Sequence, residues 1–134
     1  MEDLVYMQGT RLIFRTPPGA VTIPAGTTVD LTERFPRGVC VSAYPSVRMA
    51  CDSRNSSDVS VTLRLLVMAG EERVSYLDQF TLLPGGNYSL AYDVPGVSLK
   101  VLAEAASGTG NAYVDFLLFG YAPYISTRNT CCSI

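Results

Sequence analysis

The chain has no histidine and no tryptophan, and Lys100 is its only lysine. The missing histidine removes the commonest general base and the commonest zinc ligand. A Ser-His-Asp or Cys-His pair cannot be assembled within one such chain, and zinc could be held only by thiolates and carboxylates. Charge is scarce too: 16% of residues are Asp, Glu, Lys or Arg, against about 25% in an average domain. The arginines are scattered and the net charge is −2. Binding to a phosphate backbone wants clustered cations, so nucleic acid is not an expected partner. No run approaches the roughly 20 apolar residues of a membrane-spanning helix. The start, Met1-Glu2-Asp3-Leu4, is acidic with no apolar run behind it, so no signal peptide is predicted. Two locations then stay open: the cytosol, or a surface reached without a signal.

What the chain has in quantity is apolar residues, 48% of 134. One domain of this length can bury roughly two-thirds of its unfolded surface without staples. Disordered chains show the opposite balance. A surface short of charge is either largely buried or meets a partner.

Strand patterns repeat at short intervals between clusters of Pro, Gly, Asn and Ser. They cover residues 11–16, 20–23, 27–32, 39–44, 47–51, 59–68, 73–83, 87–93, 97–105 and 112–121. Within the sixth, Val59, Val61, Leu63, Leu65 and Val67 share one face. Asp52 to Asp58 is the clearest turn. The reading is all-β: an antiparallel, jelly-roll-like sandwich of about 8–10 strands. It divides into an arm (1–10), a sandwich (11–125) and a Cys-bearing tail (126–134).

The four cysteines fall into two groups. Cys40 and Cys51 are placed on adjacent strands around the Tyr44-Pro45-Ser46 bend. They read either as an intrachain disulfide or as two buried thiols packing as small apolar groups. Cys131 and Cys132 are neighbours on the tail, and the geometry of a bond between adjacent cysteines strains the backbone. No Cys-x₂₋₄-Cys knuckle is present, so the pair points first to disulfides between subunits in an oxidising setting, then to an inert reduced tail, and last to metal ligation.

Chemistry-bearing groups are otherwise dispersed. Asp30, Asp52, Asp58, Asp78, Asp93, Glu104 and Asp115 lie at strand ends and turns, with no pair set for glycoside hydrolysis. Asp78 and Asp115 interrupt apolar strands and are expected to face outward. The 52–58 turn lacks the spacing and closing Glu of a calcium loop. Gly85-Gly86 and Gly108-Thr109-Gly110 open no helix and read as turns rather than phosphate loops. Tyr113, Phe116, Phe119, Tyr121 and Tyr124 crowd the last strand and its exit, which suits core packing and contacts between subunits. No catalytic, cofactor or metal site is predicted, and the chain is not expected to be an enzyme.

The second half reads Phe80-Thr81-Leu82-Leu83-Pro84-Gly85-Gly86-Asn87-Tyr88-Ser89, then Tyr92-Asp93-Val94, a long strand, a Gly turn and Val114 to Tyr121. Over residues 59–124 this resembles the small jelly-roll subunits that stack into endospore appendages. The resemblance implies self-assembly, export by mother-cell lysis, a place on a cell or spore surface, and crosslinking through an N-terminal connector. Residues 1–39 contain no cysteine, so the crosslinker here would be Cys131 and Cys132. The arm Leu4-Val5-Tyr6-Met7 would dock by adding a strand to a neighbour.

The expected function is a structural subunit whose partners are copies of itself, in a fibre or coat. One alternative is a glycan- or receptor-binding module using Tyr44, Tyr88, Tyr92 and Tyr121. The other is a viral coat or decoration protein.

Overall fold

The computed structural model describes residues 9–93 and 95–122. The described residues form ten strands and no helix. In chain order these are β1 (Gly9–Arg15), β2 (Val21–Pro24), β3 (Thr28–Asp30), β4 (Val39–Cys40) and β5 (Ser46–Ser53), then β6 (Val61–Ala69), β7 (Glu72–Leu82), β8 (Asn87–Asp93), β9 (Ser98–Ala105) and β10 (Asn111–Ala122).

They make two antiparallel sheets. One has the order β1-β10-β5-β8, with β2 also on β10; the other has the order β3-β9-β6-β7, with β4 also on β9. Among the described strands, only β6 and β7 are both consecutive and paired. β1 to β2 and β3 to β4 also stay within one sheet, and the remaining connections cross to the opposite sheet, as in the Greek keys of a jelly roll.

Alternation along the strands builds the core. On β6, Val61, Leu63 and Leu65 turn inward with Val67 packed beside them. On β5 the inward set is Val47, Met49 and Cys51, and on β10 it is Ala112, Val114, Phe116 and Leu118. A period of two gives each strand one apolar face, and stacking the two faces removes both from water. Leu66 and Met68 are buried too, on the opposite face of β6, across from Tyr76 and Arg73 of β7.

The first strand is broken in two by Pro17 and Pro18, which lack the N–H a ladder needs. Thr16 bridges the break. Its N–H donates to the Phe116 carbonyl at 2.9 Å, and its hydroxyl accepts from the Phe116 N–H at 3.0 Å. β1 and β2 thereby lie along the same edge of β10.

The 52–58 turn is built into the sheet in a similar way. Ser57 Oγ accepts from the Tyr113 N–H at 2.9 Å, and Asp58 Oδ2 accepts from the Asn111 N–H at 2.9 Å. Asp58 therefore serves as a backbone acceptor, packed against Gly110, whose φ of +95° a side chain would oppose.

Two expectations need correcting. Residues 39–44 are not one strand: β4 ends at Cys40 and a turn follows. β4 then lies in the sheet of β9, and β5 in the sheet of β10, so Cys40 and Cys51 do not face each other across a hairpin. Cys51 is a free, buried thiol, and the Cys40–Cys51 disulfide is not formed.

Candidate assembly interface

A lone sandwich normally turns polar side chains to water on its outer faces. The outer face of the β1-β10-β5-β8 sheet departs from that rule. Residues directly opposite in an antiparallel pair share a face, so the register assigns each side chain. Leu12 opposes Phe119, Arg15 opposes Leu117, and Thr10 opposes Tyr121. On the far side of β10, Leu117 opposes Ala50, Phe119 opposes Arg48, and Tyr121 opposes Ser46. Because Phe116 and Leu118 face the core, Leu117, Phe119 and Tyr121 point away from it.

The result is an apolar row of Leu12, Leu117, Phe119 and Tyr121 with Ala50 beside it. Leu12 is 46% exposed and Tyr121 42%. Arg48 lies at its margin, donating to Ser89 Oγ at 3.0 Å. Lower on the same face Asp52 and Asp115 oppose each other, and Arg54 Nε donates to Asp115 Oδ2 at 2.9 Å. That hydrogen bond and the carboxylate's charge raise the Arg54 pKa further. Asp115 thus faces outward, as expected from sequence.

Asp78 does not. It opposes Leu65 and points inward, where its Oδ2 accepts from the Tyr92 hydroxyl at 2.7 Å. β7 belongs to one sheet and β8 to the other, so this bond spans the sandwich. Burial pushes the Tyr92 phenol pKa well up, and the bond to Asp78 adds to the shift. Phe80 and Tyr88 stack beside it, with ring centroids 4.4 Å apart.

The four tyrosines of the binding-module reading do not form one surface. Tyr92 is buried, Tyr88 is half-buried against Phe80, and Tyr44 is half-buried with its ring on Gly120. Tyr121 alone of the four is exposed, and it belongs to the apolar row. Asp52 and Asp115 stand directly opposite each other on β5 and β10, with Arg54 paired to Asp115. Asp30 accepts from Thr32 and from Lys100 Nζ at 2.6 Å, and Glu104 pairs with Arg64 at 2.8 Å. Among the described residues, no group of three or more His, Cys, Asp or Glu is gathered as for a metal ion. Among the same residues, no helix is long and apolar enough to cross a membrane.

Cys51 is a buried thiol. Burial raises its thiol pKa to about 12, with Asp52 and Asp115 adding to the shift, so the reactive thiolate is suppressed. The arm Leu4, Val5, Tyr6 and Met7 and the pair Cys131 and Cys132 lie outside the described residues.

The sequence reading assigned the aromatics of β10 to packing and contact, but it missed the row as a unit, along with Leu12 and Leu117. A signal was present. From Val114 to Tyr121 both phases of the strand are apolar apart from Asp115 and Gly120, which is the pattern of a strand covered on both sides.

No protein-family model matches the chain, and no curated protein matches it in sequence. Among solved structures, it is similar to a chain of the Cowpea mosaic virus top component, described as naturally occurring empty particles. The TM-score is 0.44 and the identity 12%, over 96% of this chain and 92% of that one. At that distance the likeness carries no functional argument.

Proposed function

We propose that this protein is a non-enzymatic structural subunit that assembles with copies of itself into a fibre or a shell. The observation that carries the reading is the apolar row Leu12, Leu117, Phe119 and Tyr121 on the outer face of a sheet whose inner face already fills the core. Burying such a row gains roughly 25 cal/mol per Å² of apolar area, and a subunit has only another subunit or another partner to bury it against. Aromatic side chains are what the centres of such interfaces favour. A chain with no histidine, in which Arg54 engages Asp115 of the opposed acids Asp52 and Asp115, fits a subunit without catalytic work. The arm and the terminal cysteines are not needed for this reading.

The test is sedimentation and negative-stain microscopy of the full chain against Phe119→Asp and Leu12→Asp. Both positions are on the outer face, so each variant should keep its fold and lose large assemblies. A wild-type chain that stays monomeric across the accessible concentration range overturns the proposal.

A further inference from the structure

An open sheet edge can accept another strand, and proteins blunt their edges with charge, proline, bulges or brevity. This sandwich blunts its described edges unequally. β1 is bulged between Leu12 and Phe14 and carries Arg11 and Arg15. β2 ends on Pro24, and β3 and β4 have three and two residues. β7 breaks register twice, before Leu66 and before Met68 of its partner, and begins Glu72-Arg73.

β8 carries the fewest of these devices. All seven of its residues pair with β5 without a break, from Ser46↔Asp93 to Asp52↔Asn87. It holds no proline, and Asp93 is its only charge. No other described strand pairs with it. The Ser53 N–H donates to the Gly86 carbonyl at 2.8 Å. Carrying that alternation along an unbroken register turns the N–H and C=O groups of Asn87, Ser89, Ala91 and Asp93 to the open side.

We infer that β8 pairs with β8 of a second copy, antiparallel, about a two-fold axis at Leu90. This rests on the self-assembly reading and specifies one of its contacts. The strand is self-complementary in that register. Ser89 faces Ala91 of the second copy, Asn87 faces Asp93, and Tyr88 faces Tyr92, so no like charges oppose. These pairings match the open backbone groups: Ser89 with Ala91 and Asn87 with Asp93 are the hydrogen-bonded pairs.

Leu90 meets its own counterpart on the axis, which accounts for an apolar side chain left 40% exposed beside the core. Shifting the pairing by one residue would set inward side chains against outward ones. Shifting it by two would pair fewer residues. The two sheets become one continuous sheet, with both apolar rows on the same side and free for a further contact.

The experiment measures the mass of the full chain in solution for three variants, with circular dichroism confirming that each is folded. Ala91→Pro removes an N–H from the open side while leaving the bonds to β5. Leu90→Lys sets two cations on the axis, which is expected to raise the dimer dissociation constant about 100-fold. Leu90→Cys places two thiols at a non-hydrogen-bonded pair, close enough for a disulfide. Mild oxidation should therefore link two chains through that position, read by peptide mass.

Loss of the dimer in the first two variants and linkage in the third support the pairing. A wild type that assembles, with the first two variants unaffected and the third unlinked, overturns the pairing and leaves self-assembly standing. A dimer dissolved by deleting residues 1–8, and untouched by the β8 variants, assigns the contact to the arm and also overturns the pairing. A wild type that is monomeric throughout overturns both readings.

Discussion

Tyr92 on β8 donates its hydroxyl to Asp78 on β7 at 2.7 Å, tying the edge strand of one sheet to the edge strand of the other. The two strands are otherwise joined at this seam by the Phe80–Tyr88 ring contact. A sandwich is weakest where its sheets end, because edge side chains cover less of one another. The bond links the two edges across this seam.

Tyr92→Phe keeps the ring and removes that bond, leaving an inward carboxylate without its donor. Stability should fall by about 1–2 kcal/mol, measured by urea unfolding at neutral pH. The alkaline behaviour should change too. The Tyr92 pKa is raised above its ordinary value of 10.0 in the folded chain. Its contribution is therefore fully present below pH 10 and is lost as pH rises beyond that, because the unfolded chain releases its proton first. Above pH 10 the wild type should lose stability more steeply than Tyr92→Phe. Equal slopes would show that the phenol is not protected.

Gly120 is buried on the inward phase of β10, and a methyl group there would run into the Tyr44 ring. Tyr44 sits in the loop between β4 and β5, so the contact clamps that crossover onto the sheet. Gly120→Ala should cost about 1–3 kcal/mol by overpacking. Combining it with Tyr44→Ala should cost less than the sum of the two single changes, by at least 0.5 kcal/mol in a double-mutant cycle. Additive losses would mean that the ring and the glycine are not in contact.

Cys51 is buried with a thiol pKa of about 12. At pH 8 only a negligible fraction is thiolate, and the folded chain blocks the reagent. Iodoacetamide should leave Cys51 unmodified in the native protein and modify it in concentrated urea, as read by peptide mass. If reduction dissolves any assembly, Cys51→Ser should leave that sensitivity unchanged. Rapid labelling of the native chain would contradict the burial.

Much of the fold is legible in local pattern. The limits of β8 follow from its flanks, a Pro84-Gly85-Gly86 turn before it and Pro95-Gly96 after it, and the inward set of β6 follows from strict alternation. What local pattern does not carry is which sheet a strand joins. Cys40 and Cys51 look like hairpin partners because consecutive strands usually pair. In this topology the chain crosses to the other sheet between them. Asp78 looks like an outward interruption for a related reason. Its donor, Tyr92, stands on another strand of the other sheet, and nothing within a few residues of Asp78 announces it. The apolar row was half legible, since β10 shows both of its phases apolar, while Leu12 joins it only through the register with Phe119.

Thr16 offers the sharpest test of how the broken first strand is held. The prolines that follow it cannot donate to β10, and the Thr16 hydroxyl accepts from the Phe116 N–H at 3.0 Å in the buried interior. Thr16→Val preserves the shape and removes the acceptor, so the Phe116 N–H is left buried and unpaired. That should cost about 1–3 kcal/mol. Thr16→Ser keeps the acceptor and should recover most of the loss, apart from one methyl group. Hydrogen exchange supplies the local readout: the Phe116 amide should exchange faster in Thr16→Val than in Thr16→Ser. If the two variants matched in both stability and exchange, the methyl would be the part that matters and the hydroxyl would not be joining β1 to β10.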